Sequence, residues 1–393
     1  MKGSRPVLAL AATASLILAA CSGGGATSAP ASEAPSEAPP ASVEPGASAS
    51  AEPAGEAATV RLQLQWVPQA QFAGYFAALE QGFYEAENLT VEIVPGGPDV
   101  IPQVAGSAPD GPEFTISWVP KVLEARVGTP PSDLVNIAQV FQRSGTLSVS
   151  WKDSGITSPE QFAGRKVGVW DFGNEFEVTA AAKKYGLEAG TDYEKVIQPF
   201  DMTLLLSRQI DVAEAMIYNE YAQVLEATNP ETGELYQPDD LNVINYNDEG
   251  TAMLQDAIFA RASWLAEAGN EDIAVRFLEA SFRGWIYCRD NPEDCIQYTV
   301  NAGSTLGAGH QAWMMNEINP LVWPSPNGIG IMEQALWDQT VEVSIGAGII
   351  PEAPPADASR TDLAEAALAQ ITDVDTKGEG FTKGAVTVTP GGN

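Results

Sequence analysis

Short runs in which hydrophobic and polar residues alternate recur along this chain, and stretches with helical spacing separate them. In the first run Val60, Leu62, Leu64 and Trp66 alternate with polar residues. A period of two predicts a β-strand with one buried face. Aromatic and apolar residues then recur at helical spacing from 72 to 83, which predicts a helix. The chain therefore begins its folded part with a strand followed by a helix.

The same alternation of strand and helix continues to about residue 250. Further strands are predicted at 89–94, 114–118, 134–140, 146–151, 166–170, 212–218 and 242–246. The later residues are mostly helical, with helices predicted at 271–289, 293–301, 308–317 and 332–346. Strands that alternate with helices of this length are typical of a largely parallel α/β sheet.

The strands fall into two series, which predicts two α/β lobes with the second inserted into the first. We expect one lobe at 59–143 plus 252–350, the other at 144–251, and a C-terminal extension at 351–393. Two chain crossings between the lobes would then act as a hinge. Clefts between such lobes are where small ligands bind.

The N-terminus has the pattern of a secretory signal. Lys2 and Arg5 precede an apolar run that is too short to span a membrane. The run ends in a Leu-Ala-Ala-Cys sequence at Cys21, which resembles a bacterial lipobox, and residues 22–57 are almost only small and polar. We predict a signal peptide at 1–20, then a lipidated cysteine and a disordered linker reaching residue 58. The alternative is an ordinary signal peptide with a chance cysteine.

Charge narrows the choice of partners. The chain has 52 acidic and 20 basic residues, a formal net charge of −32. This balance argues against nucleic acid and against docking on anionic lipid. We therefore expect an extracytoplasmic protein that contacts the cell membrane only through its lipid anchor.

Two further cysteines, Cys288 and Cys295, flank an Asp-Asn-Pro turn that is predicted to join two helices. The turn could bring the two sulfur atoms to bridging distance, and the compartment is oxidising. A disulfide is therefore expected, and the alternative is a pair of unpaired cysteines.

Three tryptophans, Trp66, Trp118 and Trp170, each follow a predicted strand. They lie at the carboxyl ends of those strands, the edge at which open α/β sheets bind ligands. An aromatic side chain there can stack on a flat heterocycle, and Tyr75 and Phe172 lie close to them in the sequence. The alternative for any one tryptophan is a place in the core of a lobe.

These residues belong to segments that resemble one protein family. The sequence Gln-Trp-Val-Pro-Gln-Ala-Gln-Phe-Ala-Gly-Tyr at 65–75, with further segments at 82–84, 117–120, 169–175 and 218–221, resembles substrate-binding proteins of ABC importers. These importers handle thiamine pyrimidine precursors, alkanesulfonates and riboflavin. The resemblance covers about residues 60–350, and the Gly-Asn-Glu and Tyr-Asn-Glu sequences are most similar to riboflavin-binding lipoproteins.

The resemblance implies a two-lobed periplasmic-binding-protein fold of type II with a ligand cleft between the lobes. It implies a monomer that captures riboflavin or a related flat heterocycle and delivers it to ABC permease subunits. A thiamine pyrimidine precursor of the hydroxymethylpyrimidine type is the alternative ligand, and a surface sensor with the same fold is the alternative function. The expected ligand-binding residues are Trp66, Gln69, Phe72, Tyr75, Trp118, Trp170, Phe172, Asn174, Glu175, Tyr218, Asn219 and Glu220.

The turn Gly173-Asn174-Glu175 opens a predicted helix and bears on the charge of the ligand. A helix N-terminus attracts negative charge, but here Glu175 and Glu177 would already occupy it. An anionic sulfonate would be repelled, whereas a neutral ligand rich in N–H and O–H groups would fit. The alternative is that Glu175 only caps its helix.

No arrangement of residues for catalysis is apparent in the sequence. The single histidine, His310, has no neighbouring Ser or Cys partner, so a surface or capping role is expected. Zinc, calcium and phosphate-loop motifs are missing, and so is the cysteine-rich motif of a eukaryotic enzyme in the resembling family. The sequence therefore predicts a binding protein that is not an enzyme and uses no metal or cofactor.

Overall fold

The computed structural model describes residues 55–393, so Cys21, the predicted signal peptide and nearly all of the predicted linker lie outside it. The strands of the described part are β1 (Ala58–Gln63), β2 (Leu89–Val94), β3 (Phe114–Ser117), β4 (Leu134–Gln139), β5 (Thr146–Trp151), β6 (Lys166–Val169), β7 (Glu194–Ile197), β8 (Val212–Met216), β9 (Leu241–Asn245) and β10 (Ala257–Arg261).

The α-helices between and after these strands are α1 (Ala73–Glu80), α2 (Phe83–Ala86), α3 (Pro102–Ser107), α4 (Val119–Arg126), α5 (Phe176–Lys184), α6 (Thr203–Leu206), α7 (Glu220–Leu225), α8 (Tyr246–Glu249), α9 (Ala262–Leu265), α10 (Asn270–Asp290), α11 (Pro292–Asn301), α12 (Ala308–Val322), α13 (Gln334–Ala347) and α14 (Asp362–Gln370).

Two five-stranded sheets organise the fold, one in each lobe. The strand order is β2-β1-β3-β10-β4 in the first sheet and β7-β6-β8-β5-β9 in the second. One strand in each sheet, β10 and β5 respectively, runs antiparallel to both of its neighbours. The two-lobed α/β fold predicted from the sequence is confirmed, but each sheet is mixed rather than largely parallel.

Strands β7 and β10 are the two that the hydrophobic pattern did not predict. All five residues of β10 are buried because the strand lies between β3 and β4. A strand buried on both faces has no polar alternation, so its pattern does not differ from that of a short buried helix. In contrast, β7 is a four-residue edge strand that is mostly exposed, and it is too short to show a period.

The long helix α10 forms the centre of the first lobe's core. Its Phe277 ring stacks on Phe114 of β3 at a centroid distance of 3.9 Å, and its Trp285 ring meets Tyr75 of α1 edge-on at 5.7 Å. Helix α14 packs against another side of α10. This packing fixes α1, and with it the loop from β1 that leads to the cleft.

The two segments that connect the lobes are hydrogen-bonded to each other. The side chain of Asn247 donates from Nδ2 to the carbonyl oxygen of Ser144 at 2.8 Å. The Gly145 N–H donates to Oε1 of Gln255 at 2.8 Å. The polypeptide therefore leaves and re-enters the first lobe through one cross-linked region.

Cys288 of α10 and Cys295 of α11 form a disulfide, with 5.5 Å between their Cα atoms. The bond closes the turn between the two helices, where the sequence placed Asn291 and Pro292. It therefore ties α11 to the central helix of the first lobe.

The C-terminal extension contacts both lobes. Lys383 donates to a carboxylate oxygen of Glu317 in α12 at 2.6 Å, within the first lobe. Val388 packs on the apolar cluster of the second lobe, and the Gly391 N–H donates to the carbonyl oxygen of Glu226 at 3.0 Å. Within residues 55–393, no helix has the length and apolar character needed to cross a membrane.

Candidate functional site

A cavity of about 50 Å³ lies between the two lobes at the carboxyl ends of their strands. This volume is below the roughly 300–1,000 Å³ that small-molecule sites occupy, so a ligand of that size would require the lobes to move apart. The cavity is lined by Gln65, Trp66, Gln69, Gln71, Trp118, Trp170, Asn174, Phe200, Met216, Tyr218, Asn219 and Glu220. The structure therefore brings together eight of the residues that the sequence predicted: Trp66, Gln69, Trp118, Trp170, Asn174, Tyr218, Asn219 and Glu220.

Aromatic rings from both lobes meet across the cavity. The Trp66 ring, just beyond β1, lies 4.4 Å from the Phe200 ring, which follows β7. Phe200 is in turn stacked on Trp170 at 6.2 Å, with 17° between the ring planes. Each of these residues follows the carboxyl end of a strand, as expected for a ligand site in an open α/β sheet.

One wall of the cavity is held by a buried carboxyl group, Asp256. Its Oδ1 accepts a hydrogen bond from the indole N–H of Trp118 at 2.8 Å, and its Oδ2 accepts one from Nε2 of Gln71 at 2.8 Å. Gln71 accepts from Nε2 of Gln69 at 2.6 Å. Burial raises the pKa of Asp256 to about 6, although these hydrogen bonds oppose the shift. The network fixes the orientation of Trp118.

The second lobe contributes a carboxyl–amide pair, Glu220 and Asn219, at the start of α7. One carboxyl oxygen of Glu220 accepts from the Met216 N–H and the other from Nδ2 of Asn219, both at 2.9 Å. Burial raises the pKa of Glu220 to about 7, so near neutral pH this carboxyl group is about half protonated.

A polar contact crosses the cleft from Lys121 to Asn174. Lys121 of α4 donates to Oδ1 of Asn174 at 3.2 Å, and its ammonium lies 5.5 Å from the centre of the Trp118 ring. Burial lowers the pKa of Lys121 to about 8. Asn174 also donates from Nδ2 to the carbonyl oxygen of Asp171 at 2.7 Å. Both side chains are thus held by protein groups.

Four residues that the sequence placed in the site lie outside the cavity lining. Phe72 and Tyr75 are in the core of the first lobe, 0% and 1% exposed. Tyr75 packs edge-on against Trp285 of α10, and the short turn that carries Phe72 packs against α12 and α11. Phe172 is 60% exposed and has a φ of 64°. Glu175 accepts a hydrogen bond from the Gly173 N–H at 2.9 Å, so its carboxylate is bonded to the main chain of the turn in which it lies. For these four, the structure does not support a contact with ligand.

His310 is a further correction to the sequence analysis. The sequence favoured a surface or capping role, but the ring is buried and bonded to the second lobe through Asn219 and Glu226. Its two partners are 84 and 91 residues away in sequence, so no local pattern could have indicated them.

Four residues of the cavity were not predicted from the sequence: Gln65, Gln71, Phe200 and Met216. The two glutamines lie in the same segment as Trp66, so the alternation around that residue could have indicated them. Phe200 follows β7, which the pattern missed, and no signal pointed to it. Gln65 is of chemical interest because its buried Oε1 has no hydrogen-bond partner in the described part of the chain, which leaves it free to accept one from a ligand.

The described residues contain no group of three His, Cys, Asp or Glu side chains that could hold a metal ion. The cavity is lined by aromatic rings that lie beside amide and weakly acidic side chains. This combination suits a flat, uncharged, hydrogen-bonding ligand.

Two five-stranded lobes with a small-molecule cavity between them define a class, the two-lobed substrate-binding proteins. The comparison with known proteins agrees with that class. Residues 69–295, more than half of the chain, match the family described as NMT1/THI5 like. The chain therefore belongs to the NMT1/THI5-like family.

Individual relatives are more distant. The chain is 25% identical to the riboflavin-binding protein RibY of Chloroflexus aurantiacus over 88% of its own length and 93% of that protein. It is 24% identical to a formylaminopyrimidine-binding protein of Halalkalibacterium halodurans over 61% of its length and 68% of that protein.

Solved structures agree on the fold. The periplasmic aliphatic sulphonate binding protein SsuA of Escherichia coli matches with a TM-score of 0.54 at 15% identity, covering 75% of this chain and 89% of that one. The desulfurization enzyme DSZB matches with a TM-score of 0.53 at 14% identity, covering 79% and 99%. The chain thus has the fold of ABC-importer substrate-binding proteins, a fold that an enzyme also uses.

Proposed function

We propose that this protein is the substrate-binding component of an ABC importer and that it captures riboflavin for delivery to the permease. The observation that carries the proposal is the cavity between the lobes, in which aromatic rings face amide and weakly acidic side chains. The similarity to RibY over most of both chains supports the same ligand. We propose that it acts as a monomer and as a binding protein rather than an enzyme, and both relatives are named as binding proteins.

The chemistry of the cavity matches that of a flavin. Trp66 and Phe200 come from opposite lobes, so lobe closure would bring aromatic rings against both faces of a flat ring system. The free Oε1 of Gln65 would accept a hydrogen bond from a ring N–H. The amides of Asn174 and Asn219 would face the hydroxyl groups of the ribityl chain.

The charges around the cavity disfavour an anion. Asp256 and Glu220 are carboxyl groups beside the cavity, and Lys121 is already held by Asn174. An anionic ligand would have to approach these partly ionised carboxyl groups, and the Lys121 ammonium, which keeps its charge while bonded to a neutral amide, lies outside the cavity lining. The charge pattern therefore supports a neutral heterocycle over a sulfonate.

A thiamine pyrimidine precursor remains the second candidate ligand. The similarity to a formylaminopyrimidine-binding protein favours it, and Trp66 and Phe200, whose rings are in contact here, would also accept a single heteroaromatic ring between them if the lobes moved apart. A sensor domain with the same fold would bind the same ligand without transporting it. Uptake of labelled riboflavin by cells with and without this gene separates transport from sensing.

Riboflavin fluorescence gives the direct test. We expect micromolar protein to quench it strongly, because stacked aromatic side chains would lie against the flavin ring. Trp66→Ala should weaken binding by about tenfold or more, since central aromatic residues contribute most to such sites. Phe172→Ala is the matched control, because Phe172 is exposed and outside the cavity, and it should leave affinity unchanged. Unaltered fluorescence with wild-type protein would exclude riboflavin, and direct binding of a hydroxymethylpyrimidine, measured by calorimetry, would then favour the second candidate.

We also propose that Cys21 carries a lipid that anchors the protein outside the cytoplasmic membrane, a feature outside the described residues. The mass of the mature N-terminal peptide checks this proposal. A peptide that begins at Cys21 with added acyl mass supports it, and an unmodified cysteine contradicts it.

A further inference from the structure

His310 joins the two lobes at the edge of the cavity. It lies in the first turn of α12, in the first lobe, and is 1% exposed. Its Nδ1 is 2.9 Å and 3.0 Å from the two carboxylate oxygens of Glu226, and its Nε2 is 3.0 Å from Oδ1 of Asn219. Asn219 and Glu226 are the residues at the two ends of α7, in the second lobe.

The orientation of the Asn219 amide is fixed by its neighbours. Its Nδ2 donates to a carboxyl oxygen of Glu220 at 2.9 Å, which leaves its Oδ1 directed toward the histidine. Gln223 also donates to that Oδ1, at 3.2 Å. The ring nitrogen Nε2 of His310 must therefore donate to Asn219. Because Asn219 and Glu220 both line the cavity, this bond connects the cavity wall to the first lobe.

Both ring nitrogens of His310 lie within hydrogen-bonding distance of side-chain oxygens, those of Glu226 and Asn219. Helix α11, which also packs on α12, brings acidic side chains only at the exposed Glu293 and Asp294. The neighbouring segments Ala70–Phe72 and Pro390–Gly392 bring no charged side chain.

The C-terminal extension packs against both His310 and Glu226. Gly391 is bonded to the main chain of Glu226, and a Cβ placed on Gly392 would lie 2.7 Å from Cβ of His310. One turn further along α12, the indole N–H of Trp313 donates to the carbonyl oxygen of Ile217 at 3.1 Å. The start of α12 is therefore fitted closely to the second lobe on several sides.

We infer that His310 is a positioning residue for ligand binding, one that holds Asn219 in the cavity wall while it ties the second lobe to the first. The Nε2 bond fixes the Asn219 amide that a ligand would meet, and the Nδ1 pair with Glu226 keeps α7 docked. This inference rests on the proposed function only in taking the cavity as the ligand site. It does not depend on which ligand binds there.

Two substitutions separate the two bonds. His310→Gln places an amide N–H near the position of Nε2 and keeps a donor for Asn219. His310→Asn places one near Nδ1 and keeps a donor for Glu226 alone. We expect His310→Asn to weaken riboflavin binding by about tenfold, as the loss of a buried hydrogen bond does. His310→Gln should retain most of the affinity. A residue that only fills space would lose affinity equally in both variants.

Glu317→Gln is the matched control, because it weakens the partly exposed Glu317–Lys383 ion pair on the same helix and leaves the bonds of His310 to Asn219 and Glu226 in place. It should leave riboflavin affinity unchanged. Hydrogen exchange of the peptide covering 216–226, measured without ligand, gives a second readout. We expect faster exchange in His310→Asn than in His310→Gln. Equal exchange in the two variants would overturn the inference. If wild-type protein does not bind riboflavin, the proposed ligand is wrong. The comparison of hydrogen-exchange rates still tests the role of His310, because it is made without ligand.

Discussion

Glu177 lies in α5, beside the segments that join the lobes, and its carboxyl group is fully buried. One oxygen accepts from the Ser144 hydroxyl at 2.7 Å and the other from the Met253 N–H at 3.1 Å. Burial raises the pKa of Glu177 to about 8, despite these hydrogen bonds. A group of this kind makes stability depend on pH, because the folded protein holds its proton over a range in which the unfolded chain has lost it.

The sign of that dependence is clear. Between pH 4.5, the ordinary pKa of Glu177, and about pH 8, its pKa in the folded protein, only the folded protein keeps this proton. The protonated Glu177 therefore contributes its full stabilisation below pH 4.5, and this contribution is lost as the pH rises through about 8. Glu177→Gln removes the ionisable group and keeps partners for both Ser144 and Met253. We expect this variant to raise Tm over wild type by about 2–4 °C at pH 8 and by much less at pH 5.

Thermal unfolding at the two pH values checks this prediction. Glu92→Gln is the control, because Glu92 is exposed on β2 and its substitution should leave Tm nearly the same at both values. A Tm difference between Glu177→Gln and wild type that stays constant with pH would contradict the assigned proton.

At the scale of elements, the contact between α1 and α10 depends on the absence of side chains. A Cβ on Gly284 of α10 would collide with the carbonyl oxygen of Gly74 in α1, and one on Gly74 would collide with the ring of Trp285. Glycine inside a helix costs stability relative to alanine. Its presence here reflects the close approach of two helices that the core requires.

Gly284→Ala should therefore destabilise the protein by about 1–3 kcal/mol, the usual cost of overpacking, even though alanine favours the helix. Gly346→Ala is the matched control, because Gly346 is an exposed position in α13 with open space around its Cα. That substitution should stabilise by up to about 1 kcal/mol. Denaturant unfolding of both variants measures the free-energy changes. A stabilised Gly284→Ala would show that the helices have room to move apart.

At the scale of the whole molecule, the ligand site exists only where the lobes meet. Trp66 of the first lobe meets Phe200 of the second, and Lys121 meets Asn174. These contacts join residues far apart in the chain, and none is implied by local periodicity. Ligand affinity and lobe closure should therefore vary together, as in other hinge-closing binders.

The sequence alone determined the α/β class, the division into two lobes and the strand-end positions of Trp66, Trp118 and Trp170. It could do so because the hydrophobic period of an element and the end of a strand both depend on the residues of one short segment. The same reasoning misplaced Phe72 and Tyr75, since helical spacing shows that a face is apolar but not which surface that face covers.

Only the tertiary structure decided what lies around those tryptophans. The pairing of His310 with Asn219 and Glu226, the central position of β10 and the entry of Phe200 into the cavity all depend on contacts between distant segments. Such contacts form when burial and hydrogen bonding are satisfied for the whole chain at once, and no short segment encodes them.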